Sequence, residues 1–327
     1  MKDKDIFGII LALLVGIIIG YVFRLPMKAT DQNAGALKAP GNVNPAISLY
    51  VTDSNNNRIQ KSNSLGTYIT GWGTSGSGTA MFNNPSDIDN DSAGNVYVAD
   101  TGNNRIQKFS ASGSFVSSWG SFGSSTGQFN APRGIAIDSA GNIYVADTGN
   151  NRIQKFTSGG TYVTEWGSLG SATSYFNSPY DVGVDSAGNI YVLDTNNNRI
   201  QKFTSTGTYI TSWGSGGTGN GMLNYPFGLA IDGANNVYVA DTWNYRIQKF
   251  SSSGTYMGQW GTYGSGNGQF DRPSGLSFDQ AGKLYVVDFY NNRIQKFSST
   301  GVFEAKWGTL GNGNGQFNRP YRISVFP

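Results

Sequence analysis

The most regularly placed charges in this 327-residue chain are six aspartate–arginine pairs, in each of which the arginine follows five residues after the aspartate. They are Asp53/Arg58, Asp100/Arg105, Asp147/Arg152, Asp194/Arg199, Asp241/Arg246 and Asp288/Arg293. Six arginines at one level of a closed structure could grip an anion. The same pairs could instead be internal, each aspartate accepting hydrogen bonds from a turn and pairing with the arginine that opens the next strand. Identical residues in every unit favour the scaffold reading, because a binding site is usually asymmetric. Carboxylate chemistry has few other candidates. The chain contains no histidine and no cysteine, which removes Ser-His-Asp triads, histidine-ligated zinc and thiolate chemistry. Its two glutamates, Glu165 and Glu304, fall in the outer part of their units. Asp87 and Asp181 are the carboxylates the repeat explains least, and a calcium-dependent hydrolase or lyase using carboxylates in a central channel is the enzymatic alternative. The turn Asp138-Ser-Ala-Gly-Asn lacks the alternating ligands and distal glutamate of a calcium loop. No catalytic set, metal site or cofactor is predicted.

Departures from the repeat carry more information. Most loops between the second and third strands read Thr-Gly-Asn-Asn or Asn-Asn-Asn, but the fifth holds Trp243 and Tyr245 and the sixth Phe289 and Tyr290. The loops leading into the first strands add Arg133, Tyr180, Tyr225, Phe227, Arg272, Arg319 and Tyr321. Rigid aromatics interspersed with arginine are typical of contact surfaces, so these positions form the candidate ligand-binding face.

The elements that must position these residues follow from a strict period. Arg-Ile-Gln-Lys recurs at Arg58, Arg105, Arg152, Arg199, Arg246 and Arg293, each interval 47 residues, with a Trp-Gly fourteen residues after each arginine. One unit contains four strand candidates: Gly134–Asp138, Asn142–Ala146, Arg152–Phe156 and Thr161–Trp166. The second is apolar on both faces, as a strand between two layers must be, and the fourth alternates. Four antiparallel strands per period make a propeller blade. The first unit lacks its innermost strand, while Tyr321–Phe326 matches an innermost strand with no blade after it. The expectation is an all-β, six-bladed β-propeller over residues 45–327, closed by its C-terminal strand. The pattern P-x-G-I-A-I-D-x-x-G-N-I-Y-V-A-D-T-x-N-N-R-I-Q-K-F resembles the NHL repeat. NHL propellers serve as extracellular sensor domains of receptor kinases and as interaction domains of tripartite-motif proteins. They also include an amidating lyase whose chemistry needs histidine.

Ahead of the repeats, Ile6–Phe23 is a run of 18 uncharged, mostly apolar residues. As a helix it would span about 27 Å, enough to cross a hydrocarbon core. Residues 1–24 are therefore expected to be a single-pass membrane anchor and residues 25–44 a flexible stalk. The propeller is then expected on the extracytoplasmic side. From Asn42 onward the chain carries 18 basic and 17 acidic residues, too balanced for nucleic acid to be a favoured partner. The resemblance and the aromatic face together imply a non-catalytic module binding a protein, peptide or glycan; a purely structural cell-surface repeat protein is the further alternative.

Overall fold

The computed structural model describes residues 47–327; the expected anchor and stalk lie outside the described residues. No helix among the described residues is long and apolar enough to cross a membrane. Six four-stranded antiparallel sheets follow one another along the chain. Their innermost strands are Asp87–Asn90, Pro132–Ile137, Pro179–Val184, Gly228–Ile231, Pro273–Phe278 and Pro320–Phe326. Blade 1 takes its innermost strand from the chain's end: Pro320–Phe326 pairs with Ser48–Asp53, placing Ser48 opposite Phe326 and Val51 opposite Ile323. Blades 2 to 6 are each built from consecutive strands.

Side-chain pattern dictates which strand goes where. The second strands of blades 2 to 6, such as Ile143–Asp147, are buried at every position, whereas outer strands such as Tyr162–Trp166 alternate half-buried and exposed residues. The core lies between blades rather than within one: Tyr144, Ala146 and Ile153 of blade 3 share a cluster with Phe176, Val182, Ile190 and Val192 of blade 4. Leu49, Val51 and Ile323 of blade 1 meet Tyr285, Val287 and Ile294 of blade 6 in the same way. The innermost strand of blade 3 begins earlier than the apolar pattern implies, at Pro132 rather than Gly134, as do those of blades 1, 4 and 6 from their prolines, while those of blades 2 and 5 start at Asp87 and Gly228. Asp138 leaves the strand and organises the following turn, its Oδ1 accepting the N–H groups of Ala140 and Asn142.

The scaffold reading of the charged pairs holds. Asp147 is fully buried. Its Oδ2 accepts from Nε of Arg152 at 2.8 Å, Gln154 at 2.9 Å and Asn150 at 2.9 Å, and its Oδ1 accepts the N–H of Asn130 at 2.8 Å. Arg152 reaches on to the carbonyls of Ser125 and Gln128, so each pair ties its blade to the loop that leads into it. A buried aspartate so enclosed has no oxygen left for a ligand.

Candidate functional site

Lead-in loops and second-to-third loops meet on one face of the ring. The N–H of Trp243 donates to Asn224 O at 3.1 Å and that of Tyr290 to Asp271 O at 3.1 Å. The residue before each lead-in proline is left-handed: Asn84, Ala131, Ser178, Tyr225, Arg272 and Arg319 have φ between 44° and 57°. This costs a non-glycine residue on the order of 1 kcal/mol or more and needs support from the surroundings. An asparagine of the preceding blade supplies it, as where Oδ1 of Asn198 accepts the N–H of Tyr225 at 2.8 Å and Asn292 that of Arg319 at 2.8 Å. In blade 5 that asparagine is replaced by Tyr245, which has no such acceptor to offer Arg272.

On this frame the aromatic and arginine side chains form one connected layer. Tyr180 stacks on Phe227 with ring centroids 4.9 Å apart, and Phe227 on Tyr321 at 6.3 Å. Phe289 meets Tyr321 edge-on at 5.7 Å and Tyr290 at 4.9 Å. Arginines lie over these rings: Arg133 is 4.5 Å from the Tyr180 centroid, Arg319 is 4.9 Å from that of Tyr290, and Arg272 is 4.3 Å from that of Trp243. Trp243 is 42% exposed and Tyr225, 6.0 Å from it, 47%. Arg272 also donates to the Tyr290 hydroxyl at 2.9 Å.

One residue deeper, the six innermost strands present Asp87, Gly134, Asp181, Gly228, Gly275 and Arg322 around the axis, a single column of the 47-residue period. Arg322 crosses the channel. Its Nη2 lies 2.9 Å from Oδ2 of Asp181 and donates to Phe227 O at 2.8 Å, while Nε stands 3.5 Å from Oδ1 of Asp87. Glycine is required beside it: a Cβ on Gly228 would come 1.7 Å from the Ser274 carbonyl oxygen and 2.5 Å from Nη1 of Arg322. Both aspartates also serve neighbouring blades, Asp87 accepting the N–H of Ile135 at 2.7 Å and Asp181 that of Leu229 at 2.7 Å. Burial pushes Asp87 up to about 6 and Asp181 up to about 7, against the lowering field of Arg322. The two acids in turn hold Arg322 above its usual range despite its own desolvation.

Beyond this layer a cavity of about 270 Å³ follows the axis, walled by aliphatic residues such as Val182, Leu229 and Ile323, with Asp89, Ser277 and Ser324 among its polar lining. Burial raises Asp89 to about 7 as well. The surface it retains lies against this cavity, and it accepts from the N–H groups of Asn90 at 2.8 Å and Ile137 at 3.0 Å.

The family model of the NHL repeat matches residues 82–109, 129–156, 176–203, 223–250 and 270–297. Each match runs from the lead-in loop through the third strand, and the sixth such stretch is split between the two ends of the described chain. The protein is an NHL-repeat six-bladed β-propeller. No curated protein sequence matches it. Among solved structures, the NHL propeller is similar in fold to a chain of a nidogen/laminin complex (16% identity, TM-score 0.63, covering 85% of this chain and 98% of that one). It is also similar to a streptogramin B lyase (22% identity, TM-score 0.54, 70% of each chain). A third similar structure is a catalytically inactive histidine-to-alanine variant of virginiamycin B lyase from Staphylococcus aureus with quinupristin (18% identity, TM-score 0.55, covering 80% of this chain and 84% of that one).

Of the eleven residues expected on the NHL propeller's binding face, ten join the aromatic and arginine layer. Tyr245 does not: its left-handed backbone, φ 56°, carries the ring to Tyr263 on the loop after the outer strand, 4.9 Å away. Asp87 and Asp181 come together in the channel, where Arg322 occupies the space between them. Glu165 and Glu304 pair with Arg152 and Lys283 on outer strands. Arg322 and Asp89 are the residues that sequence reasoning missed. Each sits in a repeat column whose variation would have exposed it, had the six innermost strands been aligned residue by residue.

Proposed function

We propose that this NHL propeller is a binding module that engages a protein, peptide or glycan through the face formed by its lead-in and second-to-third loops. The single observation carrying this reading is the layer of arginines held over aromatic rings, which gathers on blades 3 to 6 and blade 1 while the scaffold around it repeats. Similarity in fold to a chain of a nidogen/laminin complex supports a recognition role in kind. The lyase reading draws less support. A histidine-to-alanine variant of virginiamycin B lyase is catalytically inactive; this chain has no histidine, and its channel carboxylates are engaged by Arg322 and by backbone N–H groups.

The apolar run at Ile6–Phe23 is proposed to anchor the module in a membrane with the propeller on the extracytoplasmic side. Two measurements test these proposals. Capture of partners from envelope extracts is expected to be lost in Trp243→Ala and Phe227→Ala and retained in Tyr245→Ala, whose ring points elsewhere; equal capture by all four proteins would refute the face and favour a purely structural repeat protein. External protease applied to intact cells is expected to degrade the propeller; protection until the membrane is permeabilised would reverse the proposed sidedness.

A further inference from the structure

We infer that the pocket between Arg133 and Arg319 receives a carboxylate side chain of an acidic peptide. This rests on the binding face proposed above and assigns it a ligand chemistry. The pocket, about 200 Å³, opens among Ser54, Asn84, Arg133, Phe289, Arg319 and Tyr321, where blades 6, 1 and 2 meet the start of blade 3. No acidic residue lines it.

Three observations point to a carboxylate. First, Arg133 and Arg319 have no ion-pair partner among the described residues, while all six repeat arginines do. Their guanidinium groups rest over Tyr180 at 4.5 Å and Tyr290 at 4.9 Å, an arrangement that fixes the plane of the fork and leaves its N–H edges available for an acceptor. Second, Tyr321 is only 8% exposed, yet its hydroxyl makes no hydrogen bond among the described residues. A buried hydroxyl without a partner is costly, and Tyr321 is among the residues lining the pocket. Third, the chemistry is complementary. An ionised carboxylate only accepts, through two oxygens with about four lone-pair sites, and the two guanidinium forks supply donors alone, to which the tyrosine hydroxyl can add one.

The rest of the molecule narrows the source. A polyanion would need an extended basic track, and the chain from Asn42 onward carries 18 basic against 17 acidic residues. A single acidic side chain needs only a local site, and the rings of Phe289 and Tyr321 offer its aliphatic stem an apolar wall.

The test uses the full-length chain and two libraries of N-acetylated, C-terminally amidated heptapeptides, with Glu fixed at the centre of one and Gln at the centre of the other and every other position random among non-acidic residues. The fixed-Glu library is expected to be retained at least tenfold better. For a labelled peptide selected from it, Arg133→Gln and Arg319→Gln should each weaken binding about tenfold or more, and Tyr321→Phe, which keeps the ring, severalfold. Unchanged thermal melts verify that these variants fold. Equal retention of both libraries, retention of neither, or undiminished binding by the Arg133→Gln/Arg319→Gln double variant overturns the inference. Oligogalacturonate binding with the same arginine dependence, in the absence of peptide binding, would overturn the peptide assignment in favour of an acidic glycan. If Trp243→Ala abolishes binding while the double arginine variant does not, the face stands and the pocket falls.

Discussion

At the scale of single residues, the channel sets the protein's response to pH. Asp87, Asp89 and Asp181 are raised by burial from 3.8 to between about 6 and about 7. A carboxyl group with a raised native pKa holds its proton in the folded state where the unfolded chain has already released it. Stability is therefore greatest below the unfolded value and declines as pH rises through the native one. The melting temperature is expected to fall between pH 4.5 and pH 7.5 and to flatten above. Asp89→Asn should remove part of that slope, because Asp89 has no arginine partner. A wild-type melting temperature that rises over this window would show that the three carboxyls do not govern it. Arg322→Met should act in the opposite sense. With the bridging cation gone, two buried carboxylates face each other, and breaking a buried pair typically costs about 3–5 kcal/mol. Denaturant melts should show most of that loss at pH 8 and much less at pH 5, where the acids can be neutral. An equal loss at both pH values would mean that Arg322 acts by filling space rather than by its charge.

At the scale of the element, the repeat is held together between blades. The tryptophan ending each outer strand lies over the hairpin glycine of the next blade. A Cβ on Gly160 would come 2.7 Å from the Trp119 ring, and one on Gly66 would come 2.2 Å from that of Trp307, which joins blade 6 to blade 1. Gly160 also has φ 84°, a conformation that L side chains rarely adopt. Gly160→Ala thus meets a backbone penalty and a ring clash together and should lower stability by about 2 kcal/mol or more. Gly188→Ala tests the partition: φ is 80° there, but a Cβ would meet nothing within 4 Å, so only the backbone part should remain in its denaturant melt. Equal losses would remove the tryptophan from the account. Much of this level was legible beforehand. The period gave blade number, strand order and the role of the aspartate–arginine pairs, because those residues recur wherever the same contact recurs. The early start of the innermost strand of blade 3 was hidden, since proline and arginine at Pro132 and Arg133 break the apolar run although both lie in the strand. Tyr245 was misplaced for a related reason: its loop was identified, but its side-chain direction depends on a left-handed φ that sequence spacing does not reveal.

At the scale of the whole molecule, a ring of near-identical blades has one place where chain connectivity does not hold it shut. That place is blade 1, where Pro320–Phe326 pairs with Ser48–Asp53. The same strand carries Tyr321 into the aromatic layer and Arg322 into the channel, so closure, channel plug and the proposed binding face share one segment. The column Asp87, Gly134, Asp181, Gly228, Gly275 and Arg322 could not be read as a ring from any one blade, because its meaning lies in what the positions do together: Gly228 leaves room for the arginine side chain, Gly134 and Gly275 let neighbouring strands approach, and two aspartates meet the arginine's charge. A chain ending at Arg319 should therefore lose more than one strand's hydrogen bonds. Its blade 1 exposes an unpaired edge, the apolar cluster of Leu49, Val51, Tyr285 and Ile323 opens, and Asp87 and Asp181 lose their counter-charge. Such a chain is expected to melt broadly rather than in one transition, to bind a hydrophobic dye, and to show the greatest loss of amide protection in blades 1 and 6. Adding the peptide Pro320–Pro327 should restore a single sharp transition, whereas the same peptide carrying Arg322→Met should restore less at pH 8 than at pH 5. If the truncated chain instead melts as sharply as the full chain, the ring is held shut by contacts between blades alone, and the last strand contributes to the channel and the face without being needed for closure.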